Sequence, residues 1–278
     1  MTNNKKQLPT EHCETCPAFT ELEQMGIKLD KYDRVVALAG NPNTGKSTLF
    51  NALTGLKQHT GNWPGKTVTR AEGGYQFNGV RYKIVDLPGT YSLLSASQDE
   101  EVARDFILFG RPDCTIVVTD ATALERNLNL VLQVMEITDK VVVAVNLMDE
   151  ARRKGLEVDI RSLSRDLGIP AISVTARTGE GIHTLLGTVA DIIKGGVETN
   201  PMRVQGTAEF QHAVNELAPM IEKMAPGVPN ARWLAIRLLD GDAKVQQALM
   251  SGELAQRVAR QQKADVQFSR KMSVEGRQ

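Results

Sequence analysis

The sequence has no apolar run approaching the roughly 20 residues that cross a bilayer as a helix, so the chain is not expected to span a membrane by itself. Its N-terminus, MTNNKKQLPTEHCETC, lacks an apolar core and does not read as a secretory signal. Net charge is also missing. The 33 Lys and Arg balance 33 Asp and Glu, which leaves no global field for DNA or RNA. Three cysteines are too few for a disulfide framework and fit a reducing cytosol. The four histidines show no metal-ligand spacing, and no internal repeat is visible. What remains is 41% hydrophobic and 24% charged residues over 278 positions, enough for one large globular domain or a large and a small one.

Residues 1–33 are polar and read as an extension, with a short helix expected around Phe19–Met25. Beyond them short apolar runs alternate with helical patterns, the rhythm of an α/β protein with a mostly parallel sheet. Arg34–Ala39 reads as a buried strand, followed by a Gly-rich turn and a helix over Ser47–Leu53, with Gly55 at the C-cap position. Val68–Phe77 and Val80–Val85 flank Asn78-Gly79, a dipeptide suited to two-residue hairpins because both residues tolerate positive φ. Thr115–Thr119, Val141–Val145 and Ala171–Val174 are further strands, with helices over Ala123–Thr138, Ile160–Leu167 and Ile182–Ile193. Composition shifts at Lys194-Gly195-Gly196. From Met202 the apolar spacing is helical throughout: Phe210–Ala225, Ala231–Asp240, Ala243–Ser251 and Glu253–Ala264. The expected division is an extension over 1–33, a nucleotide-binding domain over 34–195, a small all-helical domain over 196–270 and a loose tail over 271–278.

Gly40-Asn41-Pro42-Asn43-Thr44-Gly45-Lys46-Ser47 fits G-x-x-x-x-G-K-[ST] between a strand and a helix, the context a phosphate-binding loop requires. Backbone N–H groups of such a loop converge on phosphates, and the helix N-terminus adds its positive dipole end. Lys46 then places an ammonium beside the β- and γ-phosphates, and the Ser47 hydroxyl ligates Mg²⁺. Asp86-Leu87-Pro88-Gly89 closes the next strand. Asp86 is placed to hold Mg²⁺ through water, and Gly89 to offer its N–H to a γ-phosphate. Between the two motifs, Gly61–Thr67 is a Gly/Pro-rich, mobile loop in which Thr67 is the candidate hydroxyl for sensing γ-phosphate through Mg²⁺.

Asn146-Leu147-Met148-Asp149 closes the Val141–Val145 strand. A carboxylate can accept from both N1–H and the exocyclic amine of guanine, a pair that adenine lacks, so Asp149 would select GTP over ATP. Asn146 would contact the base and the facing loops. Thr175-Ala176-Arg177 follows the next strand and offers a backbone N–H to guanine O6. Four motifs in this order on strand ends point to a P-loop, Ras-like GTPase.

The stretches GNPNTGKSTLFNALTG, GNWPGKTVTR, DLPGTYSL and NLMDEARRKG resemble the cytosolic GTPase domain of bacterial ferrous iron transport protein B, and ARWLAIRLLDGD is similar to a segment of that family's helical, GDI-like spacer domain. The resemblance covers roughly residues 34–265. It implies nucleotide contacts at Asn41, Pro42, Asn43, Thr44, Gly45, Lys46, Ser47 and Thr48. Further contacts fall at Gly65, Lys66, Thr67, Asp86, Gly89, Asn146, Met148, Asp149, Thr175, Ala176 and Arg177. It implies Mg²⁺ at Ser47 and Thr67, and K⁺ at Asn43. Many GTPases orient the attacking water with a Gln just after the D-x-x-G glycine; here Thr90 stands there, so a K⁺ beside the phosphates is expected to supply the missing positive charge in a slow hydrolysis of GTP to GDP and phosphate. Lys46, Thr67, Gly89 and Asn43 would carry that step. Leu147 stands where the usual motif has Lys, which points to fast GDP release.

The resemblance also implies a soluble piece at the cytoplasmic face of the bacterial inner membrane. Its partners would be a transmembrane permease region of the same protein and a small cytosolic Feo protein, with homo-oligomers left open and no nucleic acid. A stand-alone ribosome-assembly GTPase is the alternative, because GNPNTGKSTLFNALTG is shared with that group; it predicts a basic RNA-binding domain, against zero net charge here. A binding-only switch is the third reading. Cys13-x-x-Cys16 supplies two thiolates beside His12, short of a closed four-ligand site, and reads as incidental to a tail more readily than as a metal or redox centre. Cys114 reads as structural.

Overall fold

The computed structural model describes residues 18–29, 32–94, 97–203 and 205–260. In chain order the elements are α1 (Ala18–Gln24), β1 (Arg34–Gly40), α2 (Lys46–Thr54), β2 (Gln58–Asn62), β3 (Thr69–Phe77), β4 (Val80–Asp86), α3 (Gln98–Gly110), β5 (Cys114–Asp120) and α4 (Leu124–Ile137). There follow β6 (Val141–Asn146), α5 (Met148–Arg153), α6 (Ile160–Leu167), β7 (Ala171–Ser173), α7 (Ile182–Lys194), α8 (Ala208–Met224), α9 (Ala231–Leu239) and α10 (Ala243–Met250). Residues 253–260 are also helical.

The strands form one seven-stranded sheet in the order β2-β3-β4-β1-β5-β6-β7. β4, β1, β5, β6 and β7 run parallel, and β2 and β3 add an antiparallel edge. Both faces of the central strands are covered, which is why β1, β5 and β6 read as unbroken apolar runs. Val36, Leu38, Ile116 and Val118 face Leu49 and Phe50 of α2 and Leu185 and Val189 of α7. Ala37, Val117 and Val143 face the other way, into a cluster with Phe106 of α3 and Val131 of α4. β3 and β4 turn through Asn78 and Gly79 at φ 49° and 81°, the left-handed pair the dipeptide predicts. β1, β4, β5 and β6 end at Gly40, Asp86, Asp120 and Asn146, so their following loops gather at one edge, where open parallel sheets bind ligands.

The helical region joins the α3–α4 face. Its buried Val214, Ile221, Trp233, Leu234, Val245 and Leu254 belong to the same cluster as Phe106. One amide spans the junction alongside this cluster: Asn230 Nδ2 donates to the carbonyls of Glu136 (2.8 Å) and Ile137 (2.9 Å), while its Oδ1 accepts from Trp233 N (2.9 Å). The side chain that starts α9 therefore also satisfies carbonyls at the end of α4. No strand is present beyond residue 202 among the described residues, and no described helix is long and apolar enough to cross a membrane.

Four expectations change. The segment read as a polar extension folds from residue 18 on: Leu22, Ile27 and Leu29 are buried in the main core, and Glu21 is paired with Arg257. Helix α3 has no counterpart among the expected elements, although Ser97 and Glu100 form an S-x-x-E start before Val102, Ala103 and Phe106; Ser97 Oγ accepts from Glu100 N at 3.2 Å. β2 is likewise additional to the expected strands, because all of its residues are exposed and carry no apolar alternation. The loop expected over Gly61–Thr67 consequently starts inside β2. α5 is the fourth, a six-residue helix too short to show a period. Cys13, Cys16, residues 261–264 of the last expected helix and the 271–278 tail lie outside the described residues.

Cys114 sits inside the sheet, fully buried, and burial, with Asp113 beside it, pushes its thiol pKa up to about 12. A chain carrying Cys13→Ser and Cys16→Ser should show no thiol reactive toward an aromatic disulfide reagent at pH 8 until denaturant is added. Rapid reaction of the native protein would contradict this packing.

Candidate functional site

The loop between β1 and α2 is shaped by two glycines that admit no side chain. A Cβ on Gly40 would lie 2.7 Å from the Val118 carbonyl, and one on Gly45 would lie 2.4 Å from Asn146 Nδ2. Gly45 (φ 76°) and Asn43 (φ 66°) both take the left-handed conformation, and the Thr44 hydroxyl donates to the Asn41 carbonyl at 2.9 Å. α2 then begins at Lys46 with no side-chain cap on its first N–H groups, which leaves them for an anion. The Asn41 amide is buried beside the loop without a hydrogen-bond partner among the described residues.

Lys46 and Asp86 meet at the loop's mouth. The Lys46 ammonium donates to Asp86 Oδ1 and, at 2.8 Å, to the Leu87 carbonyl. Burial raises the Asp86 pKa, and the charge and hydrogen bond of Lys46 oppose that rise. The D-x-x-G turn leans on the phosphate loop: Thr90 N donates to the Gly40 carbonyl at 3.3 Å, and a Cβ on Gly89 would lie 3.6 Å from Pro42. Thr90 is itself buried. Ser47 and Thr48 are exposed at the start of α2.

Asn146 ties this loop to the second half of the site. Its Nδ2 donates to the Thr44 carbonyl at 2.9 Å, and its Oδ1 accepts from Ala176 N at 3.0 Å. Leu147 takes φ 61° and caps α5, with a methyl 3.7 Å from the position of a Gly45 Cβ. Met148 N donates to the Val174 carbonyl at 3.4 Å, which sets α5 against the end of β7. Asp149 is paired with Arg177 at 2.9 Å. Of the three N–H groups in the 175–177 loop, that of Thr175 goes to the Glu180 carbonyl and that of Ala176 to Asn146. These bonds leave the N–H of Arg177.

The structure thus brings Asn41–Thr48, Asp86, Gly89, Asn146, Asp149 and residues 175–177 together beyond the ends of β1, β4, β6 and β7. It sets Lys66 and Thr67 elsewhere: Lys66 is paired with Glu101 at 2.5 Å, and the exposed Thr67 hydroxyl is 3.3 Å from Gln98 Oε1, both on α3. Gly65 is exposed beside them at φ 69°. Gln98 and Glu101 were not singled out from the sequence; the S-x-x-E start of α3 was the signal that leads to them. The site's chemistry fits a polyphosphate with a divalent ion. Free helix N–H groups and one ammonium suit the anion, while the half-buried Asp86 carboxylate and the exposed Ser47 hydroxyl suit the metal.

Residues 34–189 match the family model for ferrous iron transport protein B, and residues 207–275 match the model for the FeoB cytosolic helical domain. The Fe(2+) transporter FeoB of Escherichia coli strain K12 is 38% identical over 80% of this chain and 28% of its own length. A fusion of Fe(2+) transport protein A with the Fe(2+) transporter FeoB from Porphyromonas gingivalis is 36% identical over 87% of this chain and 29% of its own. The chain therefore spans under a third of these relatives. Among solved structures, the cytosolic domain of the T. maritima FeoB iron transporter in GMPPNP form superposes with a TM-score of 0.73 at 32% identity, covering 84% of this chain and 98% of that one.

Two substitutions separate backbone strain from close approach. Gly65→Ala meets no atom within 4 Å and should lose about 1–2 kcal/mol, from its left-handed backbone alone. Gly45→Ala adds the collision with Asn146 and should lose a further ~1–3 kcal/mol in urea unfolding. Equal losses would contradict the tight seat of Gly45.

Proposed function

Because the chain belongs to the ferrous iron transport protein B family, we propose that it is the GTP-binding and GTP-hydrolysing cytosolic part of a ferrous iron transporter. The observation that supports this reading is the set of contacts that joins the phosphate loop, Asp86, Gly89 and the Asn146–Asp149 turn at the strand ends. In the proposed complex Lys46 turns from Asp86 to the β- and γ-phosphates, and the N–H groups of residues 43–48 hold the anion. Gly89 N–H meets the γ-phosphate. Asp149 leaves Arg177 to accept from guanine, Asn146 keeps the base loop and phosphate loop in register, and Arg177 N–H reaches O6. Ser47, Thr67 and, through water, Asp86 would hold Mg²⁺, and Asn43 would hold K⁺; bound there, the two ions neutralise charge that develops on the phosphates.

Hydrolysis is expected to be slow. The residue after Gly89 is Thr90, whose side chain is buried and whose N–H is engaged with Gly40, so it does not orient a water. The remaining burden falls on electrostatics at the phosphates, where a monovalent cation adds positive charge without any side-chain base. GDP and GMPPNP forms of the T. maritima cytosolic domain support nucleotide binding here. The P. gingivalis fusion supports a small Feo protein as partner, and the length of the relatives supports a permease region as the third component. The division at about residues 195–206, between nucleotide and helical domains, is part of the same proposal. The ribosome-assembly alternative is not favoured, since residues 207–275 match the FeoB cytosolic helical domain model.

Phosphate release from GTP should rise at least about threefold when KCl replaces NaCl, and Asn43→Ala should remove the difference. Lys46→Ala should abolish release in both salts. Equal rates in the two salts would remove the role of K⁺, and undiminished release by Lys46→Ala would remove the site.

A further inference from the structure

The 63–68 loop is anchored on α3, away from the phosphate loop. At its base Trp63 is 4% exposed, its ring edge-on to Phe106 at 5.5 Å, and its backbone N–H donates to the Val68 carbonyl at 3.0 Å. On the other side Arg70 lies over the Trp63 ring and donates to the Met25 carbonyl at 2.6 Å. From this fixed base two polar groups reach α3: the Lys66 ammonium to Glu101 at 2.5 Å and the Thr67 hydroxyl to Gln98 at 3.3 Å. Gln98 and Glu101 are one turn apart on the same helical face.

We propose that Gln98 and Glu101 form a latch that holds this loop open, so that a nucleoside triphosphate with its divalent ion must compete with α3 for Thr67 and Lys66. The inference rests on the nucleotide reading above and adds residues which that reading does not use. Glu101 is suited to release its partner. Its side chain is 23% exposed, and Lys244 of the helical region already stands 3.7 Å away. When Lys66 departs, the carboxylate keeps a cation and is not left buried and unpaired, which is the situation that makes breaking an ion pair costly. Burial by itself would raise the Glu101 pKa, yet the Lys66 hydrogen bond and charge, then Lys244 and Arg104, hold it below the usual carboxylate range. A partly exposed pair and one hydrogen bond are weak enough for ligand binding to reverse. A diphosphate has no γ-phosphate to recruit Thr67, so the latch should discriminate between the two nucleotides.

The test is titration of GDP and of GMPPNP, with Mg²⁺, into wild type and a Gln98→Ala, Glu101→Gln double variant. GMPPNP affinity should tighten about three- to tenfold, while GDP affinity changes less than about twofold and certifies the fold. Lys244→Gln should not reproduce the gain. An unchanged or weaker GMPPNP affinity with GDP binding intact would overturn the latch. So would an equal gain from Lys244→Gln, since the interdomain pair would then be the cause. Failure of the wild type to bind either nucleotide would instead overturn the nucleotide reading, and the competition with it.

Discussion

Two hydrogen bonds of one buried amide organise the site. Asn146 is 1% exposed at the end of β6, and it bonds the Thr44 carbonyl with one atom and the Ala176 N–H with the other. The phosphate loop and the base loop follow strands that are not neighbours in the sheet, and Asn146 fixes the distance between them. That closeness requires Gly45, because a Cβ at this position would lie 2.4 Å from the Asn146 amide nitrogen. A buried amide with both ends satisfied is rigid, and leaving either end unmade costs more than the bond itself contributes.

Around this fixed tie the charged groups are arranged to exchange partners. Lys46 is held by Asp86, and Asp149 by Arg177, so the groups proposed to take phosphate and base are each neutralised while no ligand competes. α3 stands between the loop over 63–68 and the helical region. It carries Glu101, which faces Lys66 and Lys244, and Asp105, which shares Arg257 with Glu21 of α1. Arg257 also lies 3.7 Å above the Phe109 ring. A shift of α3 therefore has contacts through which to reach the helical region and the N-terminal segment.

Much of this was legible beforehand, because the informative residues are those with strong local requirements. The phosphate loop, the Asn78-Gly79 turn and the order of the four C-terminal helices follow from glycine conformations, strand runs and helical spacing. The Asn146–Asp149 turn was placed correctly at a strand end. What escaped depends on contacts between distant segments. Residues 21–29 look polar in sequence, and Leu22, Ile27 and Leu29 among them are buried in a core that Arg70, α3 and Arg257 complete. β2 is held by backbone bonds to β3 alone, with every side chain exposed, so no pattern announces it. Thr67 was legible as a hydroxyl in the right loop, whereas its position on Gln98 depends on a helix the apolar spacing did not bring out.

The most direct test is calorimetric titration of GDP and of ADP, with Mg²⁺, into this chain and its Asn146→Ala variant. The account predicts that wild type binds GDP at least about tenfold more tightly than ADP, through the two hydrogen bonds at Asp149, and that Asn146→Ala weakens GDP binding while the fold persists. Equal affinity for the two nucleotides, or GDP binding untouched by the loss of Asn146, would contradict it.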